Sequence, residues 1–113
     1  RQGTAFWIER EGRVWLVRRP GRGLLGGMLA LPDDGWSAAR DGDGEPPVPG
    51  AWRAGGVVLH TFTHFHLELG LAIHAGPKAQ PVGEGEWWPS DAIEEAGLPT
   101  LFLKAARLAV AGR

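Results

Sequence analysis

The sequence predicts an α+β fold, a mixed, mainly antiparallel sheet with one or two helices at its C-terminal end. Three observations carry this prediction. A long run alternates apolar with polar or small residues, the last twelve residues before the C-terminus repeat apolar positions at helical spacing, and 18 Gly with 9 Pro indicate many turns between short strands. The length of 113 residues fits a single domain, 1–113, with a core of its own.

The first predicted strands form a hairpin. Residues 4–9 and 13–19 are short β-rich runs, and Gly12 between them is expected at the positive φ of a hairpin turn. Both runs carry apolar residues on both faces, which indicates a position covered on both sides. Residues 26–32 predict a third strand that Pro32 ends, and residues 33–49, rich in Asp, Gly and Pro, predict a loop.

The clearest period-two pattern follows a further apolar strand at residues 56–60. Its alternating apolar positions, which place one strand face in the core, are Phe65, Leu67, Leu69, Leu71 and Ile73. Residues 61–64 are then the connection between two antiparallel strands.

The C-terminal third predicts one short strand and the helices. Residues 84–88 form the strand, and a helix begins at Pro89 or Ser90 and ends at Gly97. The final helix, Thr100–Ala111, is expected to bury one face that contains Leu101, Phe102, Ala105, Leu108 and Ala109.

Composition excludes several classes of protein. The absence of Cys excludes disulfide scaffolds, zinc–thiolate sites, iron–sulfur clusters and a Cys nucleophile in this chain. A formal net charge of −1 argues against a free-standing electrostatic nucleic-acid binder, although not against a reader tethered to a basic domain. No apolar run is long enough to span a bilayer, and the first residue, Arg1, suggests a piece of a larger protein.

A metal site is the first chemical candidate. His64, His66 and Glu68 lie at alternate positions of one strand, and His with carboxylate ligands suits zinc or non-haem iron. Successive residues on one strand face are about 7 Å apart, so three in line do not converge on one ion. Polar residues are also normal on an outward strand face, and we expect no metal.

A carboxylate-rich segment is the second candidate. Glu94-Glu95-Ala96-Gly97-Leu98 resembles the tail of the Nudix pyrophosphatase box, with Gly76 and Asp91 at matching offsets. Val82 stands where the first Glu of that box belongs, Ser90 stands where its Arg belongs, and the segment does not follow the third strand. Magnesium diphosphate chemistry needs clustered carboxylates, so we expect no hydrolysis.

The connection around Phe62-Thr63-His64 is the third candidate. Turns favour Gly, Asn, Asp and Pro, so an aromatic residue is unexpected there. Phe62 either folds back as a core plug or belongs to a tip that reads a nucleic-acid base. In such a tip the ring stacks or wedges, the Thr63 hydroxyl forms hydrogen bonds, and His64 reaches a phosphate or base edge.

A basic cluster follows the predicted hairpin. Arg18, Arg19 and Arg22 lead from a strand into a Gly-rich turn, where they are candidates for phosphate contacts. The alternative is a solvated hairpin rim, partly neutralised by Glu9 and Glu11.

Several segments carry a family resemblance in chain order. They are Arg18-Arg19-Pro20 after the hairpin, residues 23–28, Leu31-Pro32, residues 60–69, Trp87-Trp88 and Gly97-Leu98-Pro99. Together they resemble the C-terminal domain of MutY-type adenine DNA glycosylases, which remove adenine mispaired with 8-oxoguanine. The resemblance covers most of the chain, with residues 33–55 poorly matched, and implies a Nudix-like fold that has lost the hydrolase box.

The resemblance also implies a lesion-reading triplet at Phe62, Thr63 and His64. Thr63 stands where the family usually has Ser. Relative to guanine, 8-oxoguanine gains a donor at N7 and an acceptor oxygen at C8, and one hydroxyl can satisfy both because it donates and accepts. Guanine loses part of that pairing, at a cost of about 1–3 kcal/mol.

In this family, adenine excision and lesion recognition belong to different domains. The resemblance therefore implies a non-catalytic role for this chain within a parent adenine DNA glycosylase. Catalytic carboxylates and a four-Cys iron–sulfur cluster belong to a separate N-terminal domain, and no catalytic residue, metal or cofactor is expected here. The expected partners are that domain and double-stranded DNA containing 8-oxoguanine opposite adenine. The protein is expected to be a monomer in the bacterial cytoplasm, acting at the nucleoid and not at a membrane.

Two functions from other classes remain open. The first is a Nudix-type enzyme that cleaves a nucleoside diphosphate with magnesium. The second is a protein-docking module with exposed Trp36 or Trp52 as its anchor.

Overall fold

The computed structural model describes residues 1–74, 80–81 and 83–112. Gly76 and Val82, which entered the comparison with the hydrolase box, lie outside the described residues. The elements in chain order are β1 Gln2–Trp7, β2 Glu9–Arg10, β3 Arg13–Arg18, β4 Leu29–Ala30, β5 Trp52–Thr61, β6 His66–His74, β7 Glu86–Pro89, a 3₁₀ helix Ser90–Glu95, and α1 Thr100–Ala111. The α+β prediction is confirmed.

The strands form two sheets. The first has the order β1-β6-β5, with β1 parallel and β5 antiparallel to β6. In the second sheet β3 pairs antiparallel with β2, β4 and β7. Most of the pairing is therefore antiparallel, as predicted, and the one parallel ladder described involves β1.

The predicted pairing of residues 4–9 with residues 13–19 is correct only at the turn. Arg10 pairs with Arg13 across Glu11 and Gly12, which have φ of 52° and 74°. Strand β1 instead runs beside β6, from the pair Gln2–Glu68 to the pair Trp7–Ile73. This position covers both apolar faces of β1, since Trp7 packs into the main core and Phe6 into a second cluster.

The β5–β6 hairpin confirms the period-two pattern. Leu67, Leu69, Leu71 and Ile73 are all buried. Strand β5 is longer than the predicted residues 56–60 because a bulge between Ala54 and Gly56 lets the pairing continue to Trp52. The third strand, predicted at residues 26–32, is formed only by Leu29–Ala30. Residues 33–49 form the expected loop, which contains an isolated Ser37–Arg40 bridge.

The main core lies between the inner face of the β1-β6-β5 sheet and α1. Helix α1 has the predicted bounds, and Leu101, Phe102, Ala105 and Ala109 are buried. Leu108 does not belong to the buried face, because it lies at the margin of the helix against Gly56 and is 37% exposed.

The smaller elements complete the fold. The predicted penultimate helix is a 3₁₀ helix, and Gly97 (φ 77°) follows it as expected. The second cluster, on the opposite face of the first sheet, contains Phe6, Ile8 and Val48. Within the described residues, no helix is both long and apolar enough to cross a membrane.

Candidate functional site

A four-residue loop, residues 62–65, joins β5 to β6 and carries the predicted triplet. The Phe62 N–H donates to the Phe65 carbonyl at 2.8 Å, and the Thr61 hydroxyl lies 2.9 Å from His66 Nδ1. These contacts close the hairpin at its last paired residues. Thr63 and His64 lie beyond this closure, and both are exposed.

Phe62 is half-buried in what we call the aromatic seat, formed by Trp36, His60 and Phe65. Its ring stacks on Phe65 with centroids 4.8 Å apart and planes at 21°, and it meets His60 edge-on at 4.8 Å. The Trp36 centroid is 6.1 Å away. The core-plug prediction and the exposed-tip prediction are therefore each correct in part. The Phe62 ring lies at the margin of the core, and Thr63 and His64, which follow it, are exposed.

Trp36 supports the seat from the loop between β4 and β5. It is 2% exposed, so its expected role as an exposed docking anchor is wrong. Gly3 explains the burial, because a Cβ at that position would lie 2.6 Å from Trp36 Cδ1, and only glycine leaves room for the indole. Trp52 is also packed inward, with its ring edge-on to Phe6 at 5.3 Å and to His74 at 5.0 Å.

Arg19 lies against the rings of Trp36 and Phe102. Its guanidinium is 4.7 Å from the Trp36 ring centroid and 5.8 Å from that of Phe102, and it forms an ion pair with Asp33. Its Nε also donates to the Leu24 carbonyl at 3.1 Å, which ties residues 20–27 to the seat. Arg19 is therefore a structural support of Trp36.

The other two arginines of the basic cluster are placed differently. Arg18 and Arg22 are exposed, whereas the Arg19 side chain is 13% exposed. Arg18 donates to the Gly27 carbonyl at 3.2 Å. The three side chains do not present one continuous basic surface.

Burial shifts the pKa values of two ionisable groups in this region, Asp33 and His60. Desolvation raises the pKa of Asp33, while the Gly35 N–H and the Arg19 guanidinium oppose this shift. Desolvation lowers the pKa of His60, and the positive charge of Lys104 on α1 acts in the same direction. The seat therefore disfavours the charged form of the His60 imidazole.

The metal candidate does not assemble. His66 is bonded to Thr61, Glu68 accepts from Gln2 at 3.3 Å, and His64 lies in the loop. Across the part of the chain that the structure describes, no three His, Asp or Glu side chains are grouped so as to hold a metal ion.

The carboxylate-rich segment lies in the 3₁₀ helix and faces α1. Both Glu94 carboxylate oxygens accept from Arg107, at 2.7 and 2.9 Å, and this pairing lowers the pKa of Glu94. In the folded chain, Glu94 of this box-like segment therefore joins the 3₁₀ helix to α1.

Sequence reasoning missed the seat itself. The sequence pattern places Phe65 on the core side of a strand and His60 at the end of a strand, and the docking alternative places Trp36 at the surface. The available signal is the concentration of rings: five of the seven residues from 60 to 66 are His or Phe. So many rings are not expected to be surface positions of a simple turn.

Comparisons with known proteins give the family and the fold. The NUDIX domain family model matches residues 4–108. The C-terminal domain of mouse MUTYH, solved in complex with human PCNA, is 19% identical and superposes with a TM-score of 0.73, covering 99% of this chain and 88% of that one. A search of curated protein sequences finds no match.

Two MutT proteins are also similar in structure. The MutT NUDIX hydrolase from Burkholderia pseudomallei is 18% identical with a TM-score of 0.68, covering 96% of both chains. The MutT protein from Methanosarcina mazei Go1 is 16% identical with a TM-score of 0.69, covering 99% of this chain and 94% of that one. At these identities the likeness establishes the fold, and the choice between functions depends on the side chains.

Proposed function

The chain belongs to the NUDIX domain family, and from this premise we propose that it is a lesion-recognition domain that binds 8-oxoguanine opposite adenine in duplex DNA. The observation that carries the proposal is the loop at residues 62–65. It exposes two consecutive residues that carry a hydroxyl and an imidazole, next in sequence to an aromatic ring at the margin of the core. The similarity to the mouse MUTYH C-terminal domain is consistent with this reading.

Each residue of the triplet has a distinct role in the proposal. The Thr63 hydroxyl donates to the C8 oxygen or accepts from the N7 hydrogen of the oxidised base, and its exposure leaves it available for either bond. The Phe62 ring stacks against a base. His64 contacts a phosphate or a base edge, and Arg18 and Arg22 contact phosphates on the flanking duplex.

The proposal includes a parent adenine DNA glycosylase in the bacterial cytoplasm. Its N-terminal domain, with an iron–sulfur cluster, removes the mispaired adenine, and the protein acts as a monomer. The formal net charge of −1 supports a tethered reader, because attachment to a DNA-binding domain raises the effective concentration of the loop near the lesion.

Binding to matched duplexes tests the role of the hydroxyl. Thr63→Val removes the hydroxyl and keeps the branched shape, so we expect the preference for 8-oxoguanine over guanine opposite adenine to fall by about tenfold, the equivalent of one lost hydrogen bond. The measurement is fluorescence anisotropy at low salt, with the 113-residue chain and both duplexes. Thr63→Ser is the matched control and should keep the preference. A wild-type chain without preference, or Thr63→Val with the wild-type preference, contradicts the proposal.

A magnesium-dependent diphosphate hydrolase is the second candidate, favoured by the similarity to two MutT proteins. We expect no turnover of nucleoside di- or triphosphates with Mg²⁺ above the rate of a heat-denatured control, because Glu94 is paired with Arg107. Turnover that Glu94→Gln or Glu95→Gln abolishes would favour the hydrolase over the lesion reader.

A further inference from the structure

The aromatic seat contains two polar atoms for which the described part of the chain provides no hydrogen bond. Trp36 Nε1 and His60 Nδ1 are buried and have no partner among the described residues. Both atoms belong to rings that contact Phe62. A buried polar atom without a partner destabilises the conformation that buries it, and the same atom recovers a hydrogen bond when water reaches it.

The bonds that close the loop do not involve the Phe62 ring. The closing bonds are the Phe62 N–H to the Phe65 carbonyl and the Thr61 hydroxyl to His66, and neither uses the Phe62 side chain. A rotation of this side chain therefore leaves the hairpin closed.

Two opposing effects act on the ring in its seat. Stacking on Phe65 and packing beside Trp36 favour the buried position. The unsatisfied atoms on Trp36 and His60 favour a position that admits water. The buried position of the ring is therefore opposed as well as favoured.

We propose that the aromatic seat is a metastable resting place for Phe62, from which the ring swings out to contact its ligand, and that His60 sets how easily it leaves. The identity of that ligand as a DNA base rests on the proposed function. The equilibrium of the ring is a property of the free protein and is measured without DNA.

Fluorine NMR measures this equilibrium directly. The chain has four Phe, so incorporation of 4-fluorophenylalanine gives four resonances, and Phe62→Leu identifies the one that belongs to Phe62. We expect that resonance to show exchange and a partial solvent isotope shift between water and D₂O. His60→Leu removes the unpaired nitrogen and keeps an apolar neighbour, so the exposed population should fall by about tenfold.

The matched control is His64→Leu, which removes an exposed imidazole of the same loop and should leave the Phe62 resonance unchanged. If His60→Leu does not fold, His60→Met provides the same apolar replacement with a more adaptable side chain. A wild-type Phe62 resonance without any exposed population overturns the proposal, and so does an unchanged population in the His60 variant. Either result leaves the duplex-binding test of Thr63 unaffected, so the two proposals fail separately.

Discussion

The loop at residues 62–65 and the 3₁₀ helix Ser90–Glu95 are the two candidate sites, and they differ in what their polar side chains contact. Thr63 and His64 face solvent beyond a closed hairpin. Both carboxylate oxygens of Glu94 instead accept hydrogen bonds from Arg107 of α1. A motif-like run of carboxylates therefore contributes Glu94 to a contact between two helices, while a short polar turn between strands leaves Thr63 and His64 exposed.

The largest expected effect concerns the support of the loop. Arg19→Met should lower the free energy of unfolding by about 3–5 kcal/mol, because it leaves the poorly exposed Asp33 carboxylate without its guanidinium partner. Urea unfolding followed by circular dichroism measures the loss. Arg22→Met is the control, since Arg22 is exposed on the same turn, and it should change stability by less than about 0.5 kcal/mol. Equal losses in the two variants would show that Arg19 does not hold the seat.

A smaller effect is expected from crowding Trp36. The new methyl of Gly3→Ala would lie 2.6 Å from Trp36 Cδ1, so the indole must shift, and we expect a loss of about 1–3 kcal/mol. Gly70→Ala, on the adjacent strand, is the control, because its nearest neighbour would be the Gly3 carbonyl at an ordinary 3.8 Å. Thermal unfolding compares them, and similar midpoints would mean that Trp36 is not tightly held.

The smallest effect is expected at the other candidate site. Glu94→Gln removes half of an ion pair whose side chains are 59% and 55% exposed, and exposed pairs contribute little to stability. The thermal midpoint and the preference between the two duplexes should both match the wild type. A clear change in duplex preference would mean that this segment takes part in recognition, and the contrast between the two sites would no longer hold.

Local patterns predicted the elements whose neighbours lie close in sequence. The alternation in β6 predicted its buried face, and helical spacing predicted α1 to its ends. The partner of β1 was beyond such reasoning, because two apolar faces indicate a covered strand but do not identify what covers it. The start of β5 was missed since Gly55 and Gly56 interrupt its β-forming residues at the bulge.

The candidate site shows the same limit. The triplet Phe62-Thr63-His64 was placed at the connection because two strand patterns flank it, and the hairpin has its loop there. Trp36 enters the sequence prediction only as an exposed anchor of the docking alternative, and it lies in the predicted loop at residues 33–49. Its burial depends on the close approach of Gly3, a contact between distant parts of the chain that no local pattern contains.

The parallel ladder of β1 also bears on the order in which the chain folds. The pair Gln2 and Glu68 is separated by 66 residues, whereas β5 and β6 are joined by four. Closing a short loop costs less chain entropy, so we expect the β5–β6 hairpin to form early and β1 to dock after it. Substitutions in β1 should therefore speed unfolding more than they slow folding. The hairpin that presents Thr63 would be assembled before the sheet around it is complete.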